Sequence, residues 1–205
     1  MRFSSPSNLF RRWRVSPIMI KRIISLTVVV AAVGALAPAT AQASAGQVLK
    51  LRKGLTITLP NAWKVHGKGD FTYVVAGKCK KLHQPGCRQF SIFGPKGIAI
   101  GNELFNPYTG KSPYYAATDV QPCPLNAKWS YGGGVKLLTS GYREIGKGHK
   151  AQYRAWRITC VANDSSKVKA TFVQREWLLP KSKILIVDKF STPGLSKVLT
   201  NAVWR

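Results

Sequence analysis

Acids are what this chain has least of. Of 205 residues, 7 are Asp or Glu and 3 are His, against 32 Lys or Arg, so the net charge is +25. Also missing is any HExxH, GxSxG, P-loop or GxGxxG stretch, which removes most familiar enzyme classes. No CxxC pair is present, and no internal repeat or low-complexity tract appears. Methionine is nearly absent: Met1 and Met19 are the two, and none follows Ala43. What is present is apolar. Hydrophobic residues make up 45% and aromatics 10%, which is the content of a folding domain rather than of a charged disordered chain.

The first forty-three residues read as an address. Arg2, Arg11, Arg12, Arg14, Lys21 and Arg22 precede a charge-free run over residues 23–37, and Ala41-Gln42-Ala43 follows. A basic segment, a short apolar segment and a small-x-small end describe a secretory signal peptide, cleaved after Ala43. The apolar run falls short of the ~20 residues a spanning helix needs, so no transmembrane segment is expected after cleavage. Met19 opens a shorter signal of ordinary length and is the expected start of translation.

The exported chain, residues 44–205, keeps 26 basic residues and all seven acids, a balance of +19. It is long enough for one domain with one ordinary core. Its four cysteines, Cys79, Cys87, Cys123 and Cys160, read as two disulfides in an oxidising compartment, although the sequence allows three pairings. Proximity favours Cys79–Cys87, which flanks a Pro-Gly loop, and leaves Cys123–Cys160. Zinc is the rival use, and the missing CxxC spacing argues against it.

Strand and turn signals dominate. Leu55-Thr56-Ile57-Thr58-Leu59 alternates with period two and stops at Pro60. Residues 63–66 and 71–75 flank Gly67-Lys68-Gly69-Asp70, a hairpin signal, and residues 90–93 alternate again. Residues 94–142 carry five prolines and Gly132-Gly133-Gly134, and predict loops with at most short helices. Strands over 150–160, 168–179 and 183–187, joined by short turns, predict an antiparallel meander, the last strand buried on both faces. Thr192-Pro193 then predicts the cap and first position of an amphipathic helix with Leu195, Val198, Leu199, Ala202 and Val203 on one stripe. The expected fold class is α+β: an antiparallel sheet with that C-terminal helix packed on it.

The segments GYREIGKGHKAQYRAWRITC, FVQREWLLPKSKILIVDKF and STPGLSKVLTNAVW, with LTITLPNAWKV near the start, resemble the PsbP-like superfamily over about half of the exported chain. The resemblance implies an α/β/α sandwich-like architecture around an antiparallel sheet. It also implies a binding or assembly role, and it carries no catalytic residue to this chain.

Candidate chemistry is sparse. His66-Gly67 and His83-Gln84-Pro85-Gly86-Cys87-Arg88 look faintly like elements of L,D-transpeptidases, with Cys87 as thiolate nucleophile. The serine of that pattern is absent, Arg88 follows Cys87 directly, and Cys79 stands ready to oxidise it. His149 sits in a Gly-Lys turn. Glu176 and Asp188 lie on consecutive strands and would make an acid/base pair only if they faced each other in a cleft. Arg175 and Lys189 beside them favour ion pairs instead. The tryptophans of the exported chain could form a stacking platform, but core packing is the better reading. No catalytic, cofactor-binding or metal-binding residue is therefore expected.

Charge remains. Nineteen of the 26 basic residues are Lys, which act as mobile point charges, while Arg supplies bidentate geometry. That balance predicts diffuse, salt-sensitive attraction to an anionic envelope polymer or acidic protein, and no specific nucleic acid. Lys78, Lys80, Lys81, Lys181 and Lys183, all in expected turns, are the predicted contacts. The expected protein is a secreted or cell-wall-associated binding domain, with the transpeptidase as alternative.

Overall fold

The computed structural model describes residues 46–205; the expected signal peptide and the start at Met19 lie outside the described residues. In chain order the elements are β1 (Gln47–Lys50), β2 (Leu55–Leu59), β3 (Lys64–Lys68), β4 (Phe71–Val75), β5 (Gln89–Phe93), α1 (Pro95–Ala99), β6 (Trp129–Glu144), β7 (Lys150–Ala162), β8 (Val168–Leu179), β9 (Ile184–Asp188), α2 (Leu195–Thr200) and β10 (Val203–Trp204). Among the described residues two sheets form, β1-β2-β10 and β3-β4-β5-β9-β8-β7-β6, antiparallel throughout.

The α+β expectation is overturned. Strand takes 46% of the structure and helix 11%. The C-terminal helix is six residues long, begins after Gly194 in the left-handed region (φ 79°), and stops at Asn201. Its inner residues behave as the stripe requires, with Leu195 and Leu199 fully buried and Val198 half-buried. The stripe does not continue. Val203 and Trp204 pair with Thr56 and Leu55, completing the small sheet that β2 would otherwise leave open on that side. A β-branched residue and an aromatic suit a strand better than a helix end, and Trp204 Nε1 donates 2.7 Å to Ile145 O to fix the exit. Thr192 does not cap the helix: its hydroxyl donates to Asp188 Oδ1 at 2.9 Å. An α/β/α sandwich is therefore not formed.

Residues 94–142 also differ from expectation. The loops and short helices hold for 94–128, but β6 is a sixteen-residue edge strand that runs through the triple glycine. Register shifts between Tyr131 and Val135, and between Leu137 and Thr139, let it follow β7 despite the glycines.

Core residues explain the layering. The small sheet lays Leu55, Ile57 and Leu59 on Val74, Phe90, Ile92, Trp177 and Ile186 of the large one, with α2 closing the seam. On the opposite face, residues 94–128 bring Tyr108 and Tyr114 onto Phe93, Leu178, Leu185 and Val187. Cys123 reaches Cys160 beside Trp156, Ile158 and Phe172. With both faces covered, all five residues of β9 are buried, as its unbroken apolar run predicted.

Candidate basic groove and the buried carboxylate

The disulfides are Cys79–Cys87 and Cys123–Cys160, with Cα atoms 5.4 and 5.8 Å apart. Among the described residues no cysteine is free. Cys87, buried and bonded, offers no thiolate, and the thiol nucleophile of the transpeptidase alternative is absent from the folded chain.

The short disulfide loop instead builds a groove. It folds over one corner of the large sheet, where His83 meets Tyr73 edge-on at 4.5 Å and bonds Gln89. Beneath residues 78–82 lies a groove of about 840 Å³ whose floor includes Val75 and Ala76. Lys78, Lys80 and Lys81 come from the loop. Lys64 and His66, two apart on β3 and so on one face, line it as well. No carboxylate lines it. The sequence reading found the three loop lysines but missed Lys64 and His66, whose alternation on a strand beside the loop was the available signal.

Lys181 and Lys183 are exposed, as expected, but they belong elsewhere. Phe90 stands opposite Asp188 and Val75 opposite Gln89, so the disulfide loop emerges where β9 finishes. The turn carrying Lys181 and Lys183 lies where β9 begins. The two lysine clusters occupy opposite ends of the sheet and cannot grip one short ligand together.

The two candidate acids part company. Arg175 stands opposite Asp188 and Glu176 opposite Val187, so the carboxylates point to opposite faces. An acid/base pair is excluded. Asp188 accepts Arg175 Nε at 3.0 Å and, in the ion pair, Nη2; it also accepts Thr192 N at 3.0 Å and Phe190 N at 3.1 Å. Glu176 is sealed under residues 94–128 with four donors. Tyr108 OH (2.6 Å) and Trp156 Nε1 (2.7 Å) donate to Oε2, and Tyr114 N (2.6 Å) and Gln174 Nε2 (2.7 Å) donate to Oε1. Burial raises its pKa, and the four hydrogen bonds act against that rise by favouring the anion. Three of those donors have no acceptor to offer, so the arrangement is built for a carboxylate.

Lys189 does not pair with Asp188. Its ammonium lies 5.4 Å from the Tyr131 ring centre, and burial pushes it down to about 8 while Glu176 pulls it up. Burial and the neighbouring Lys189 charge lower His83. His149 is exposed and stacks on Trp204 at 4.3 Å. Trp63, Trp156 and Trp177 are buried in the core, Trp129 and Trp204 half-buried, so no tryptophan platform forms.

Among the described residues no cluster of three metal-ligating side chains occurs, and no helix is long and apolar enough to cross a membrane. No family model, no curated protein and no solved structure matches the chain, so nothing among known proteins bears on the PsbP-like resemblance.

Proposed function

We propose that this is an exported binding or scaffold domain that holds anionic polymers of the cell envelope, weakly and without sequence or sugar preference. One observation carries the reading: an open groove walled by Lys64, Lys78, Lys80, Lys81 and His66, with no carboxylate in its lining. Long flexible ammonium side chains displace counterions from a polyanion without fixing a particular geometry. The two disulfides suit an oxidising, extracellular setting. Lys181 and Lys183, at the other end, extend the field that draws a polymer in rather than the site that seats it.

The test is retention on heparin, teichoic acid and DNA across a salt series. Replacing Lys64, Lys78, Lys80 and Lys81 with Gln should lower the salt slope on DNA by roughly three units, since each phosphate contact contributes about 0.9. Removing the same charge at Lys147, Lys150, Lys181 and Lys183 should change it by less than half as much. Equal losses in both variants would leave only net charge, with no site at the groove. Saturable binding to one polymer that survives high salt would replace the diffuse reading with a specific one.

A further inference from the structure

The seam between the two sheets is filled along most of its length and open at one end. There a cleft of about 300 Å³ lies between the end of β1 and the β3–β4 hairpin. Its floor is the core itself: Ile92 and Ile184 from the large sheet, with Leu49 and Leu51 from the small sheet's side. Gly69 turns the hairpin with φ 66°, and a Cβ built there meets nothing within 4 Å. Thr72, 1% exposed, also lines the cleft.

The mouth has a sign. Lys50, Arg52 and Lys68 stand around it, all exposed. Asp70 is the one carboxylate in the lining, and its Oδ1 already accepts the backbone N–H of Lys96 at 3.3 Å. Three cations over an apolar floor, with the single acid engaged, select a ligand that is negative at one end and apolar at the other. The volume sits at the small end of ligand pockets, too small for a polymer chain.

We propose that this cleft binds a small anionic amphiphile, a carboxylate or sulfonate with a short apolar body. The floor takes the apolar body out of water, and the rim takes the charge. The site is independent of the basic groove, because the hairpin end of β3 and β4 is opposite the end that carries the disulfide loop.

The experiment uses 1-anilinonaphthalene-8-sulfonate fluorescence on the folded exported chain at fixed salt, with octanoate and octanol as competitors. The dye should bind at one saturable site with a blue-shifted emission. Octanoate should displace it, and neutral octanol should need about tenfold more. Changing Lys50, Arg52 and Lys68 to Gln should weaken octanoate about tenfold with the circular dichroism unchanged. Leu51→Trp should fill the cleft and remove binding. Should that variant misfold, the surface-charge variant still decides. Failure of octanoate to displace the dye, or equal competition by octanol, overturns the proposal. So does loss of dye binding in the Lys64, Lys78, Lys80, Lys81 variant, which would place the dye in the groove.

Discussion

At the scale of single residues, Glu176 holds four neutral donors where the sequence favoured an ion pair. It fastens the irregular segment to the sheet, since Tyr108 OH and Tyr114 N both come from residues 94–128. Glu176→Gln keeps the shape but turns an acceptor into a donor against other donors. The expected loss is on the order of 3 kcal/mol, because buried donors left without acceptors cost about 1–3 kcal/mol each. Urea unfolding of that variant and of Tyr108→Phe measures it; a loss below half a kilocalorie in both would show that the segment is held by apolar packing alone. Lys189 gives a pH signature. Its folded pKa near 8 lies below its ordinary value of 10.5, so its stabilising contribution is present above 10.5 and lost as pH falls through 8. Stability should climb as pH rises from 8. Above 10 the climb should reverse, because burial raises Tyr108, Tyr114 and Tyr131 and the unfolded chain then releases phenolic protons first. Lys189→Met should flatten the climb from pH 8, with Tyr131, Glu176 and His83 left in place around it. A variant with the wild-type profile would mean that another group titrates there.

At the scale of elements, what was legible follows from period and punctuation. Leu55–Leu59, the 71–75 strand and the central strand were readable because alternation or a continuous apolar run survives whatever lies around them. The disulfides were readable because a Pro-Gly loop brings Cys79 to Cys87 and leaves one pairing. The length of α2 was not. Leu195, Val198, Leu199, Ala202 and Val203 fit helical spacing, but the vacant side of β2, an element about 145 residues earlier in sequence, claims Val203 and Trp204. Local pattern carries no record of so distant an edge. β6 was hidden similarly: three glycines speak for a loop until β7 supplies a partner. The groove was half legible: the turn marked the loop lysines, while the alternation that puts Lys64 and His66 on one face of β3 gave no sign that the loop would fold beside them. Leu199→Ala should cost roughly 2–5 kcal/mol, because the side chain is 1% exposed and its neighbours are held by two sheets. Differential scanning calorimetry showing an unchanged melting temperature would place α2 outside the cooperative unit. Replacing Cys79 and Cys87 with Ser should cost about 2.6 kcal/mol for a nine-residue loop, and should lower polymer retention with every positive charge still in place. Retention unchanged in that variant would mean that the loop lysines need no holding.

At the scale of the whole molecule, the charge works against the fold that carries it. Residues 44–205 hold 26 basic residues against seven acids. Among the described residues one salt bridge forms, Arg175–Asp188. Nearly every lysine is exposed, and like charges within a Debye length repel in the compact state more than in the expanded one. The unfolded chain spreads the same charge over a larger volume, so folding gathers repulsion that the two covered faces of the sheet must outweigh. Simple salt should accordingly raise the melting temperature between ~20 mM and ~300 mM, over which the Debye length shortens from about 20 to about 6 Å. A polyanion held in the folded groove, as proposed, should do more at far lower concentration, shifting the equilibrium by mass action. Both effects are separable in one calorimetric series. Heparin at low salt should raise the melting temperature, and the rise should vanish once salt releases the polymer, leaving the smaller salt effect alone. In the Lys64, Lys78, Lys80, Lys81→Gln variant the heparin effect should shrink while the melting temperature without heparin stays equal or rises slightly. A melting temperature that falls with added salt would mean that long-range attraction, not repulsion, dominates this surface, and a heparin effect that persists at high salt would locate binding in contacts other than charge.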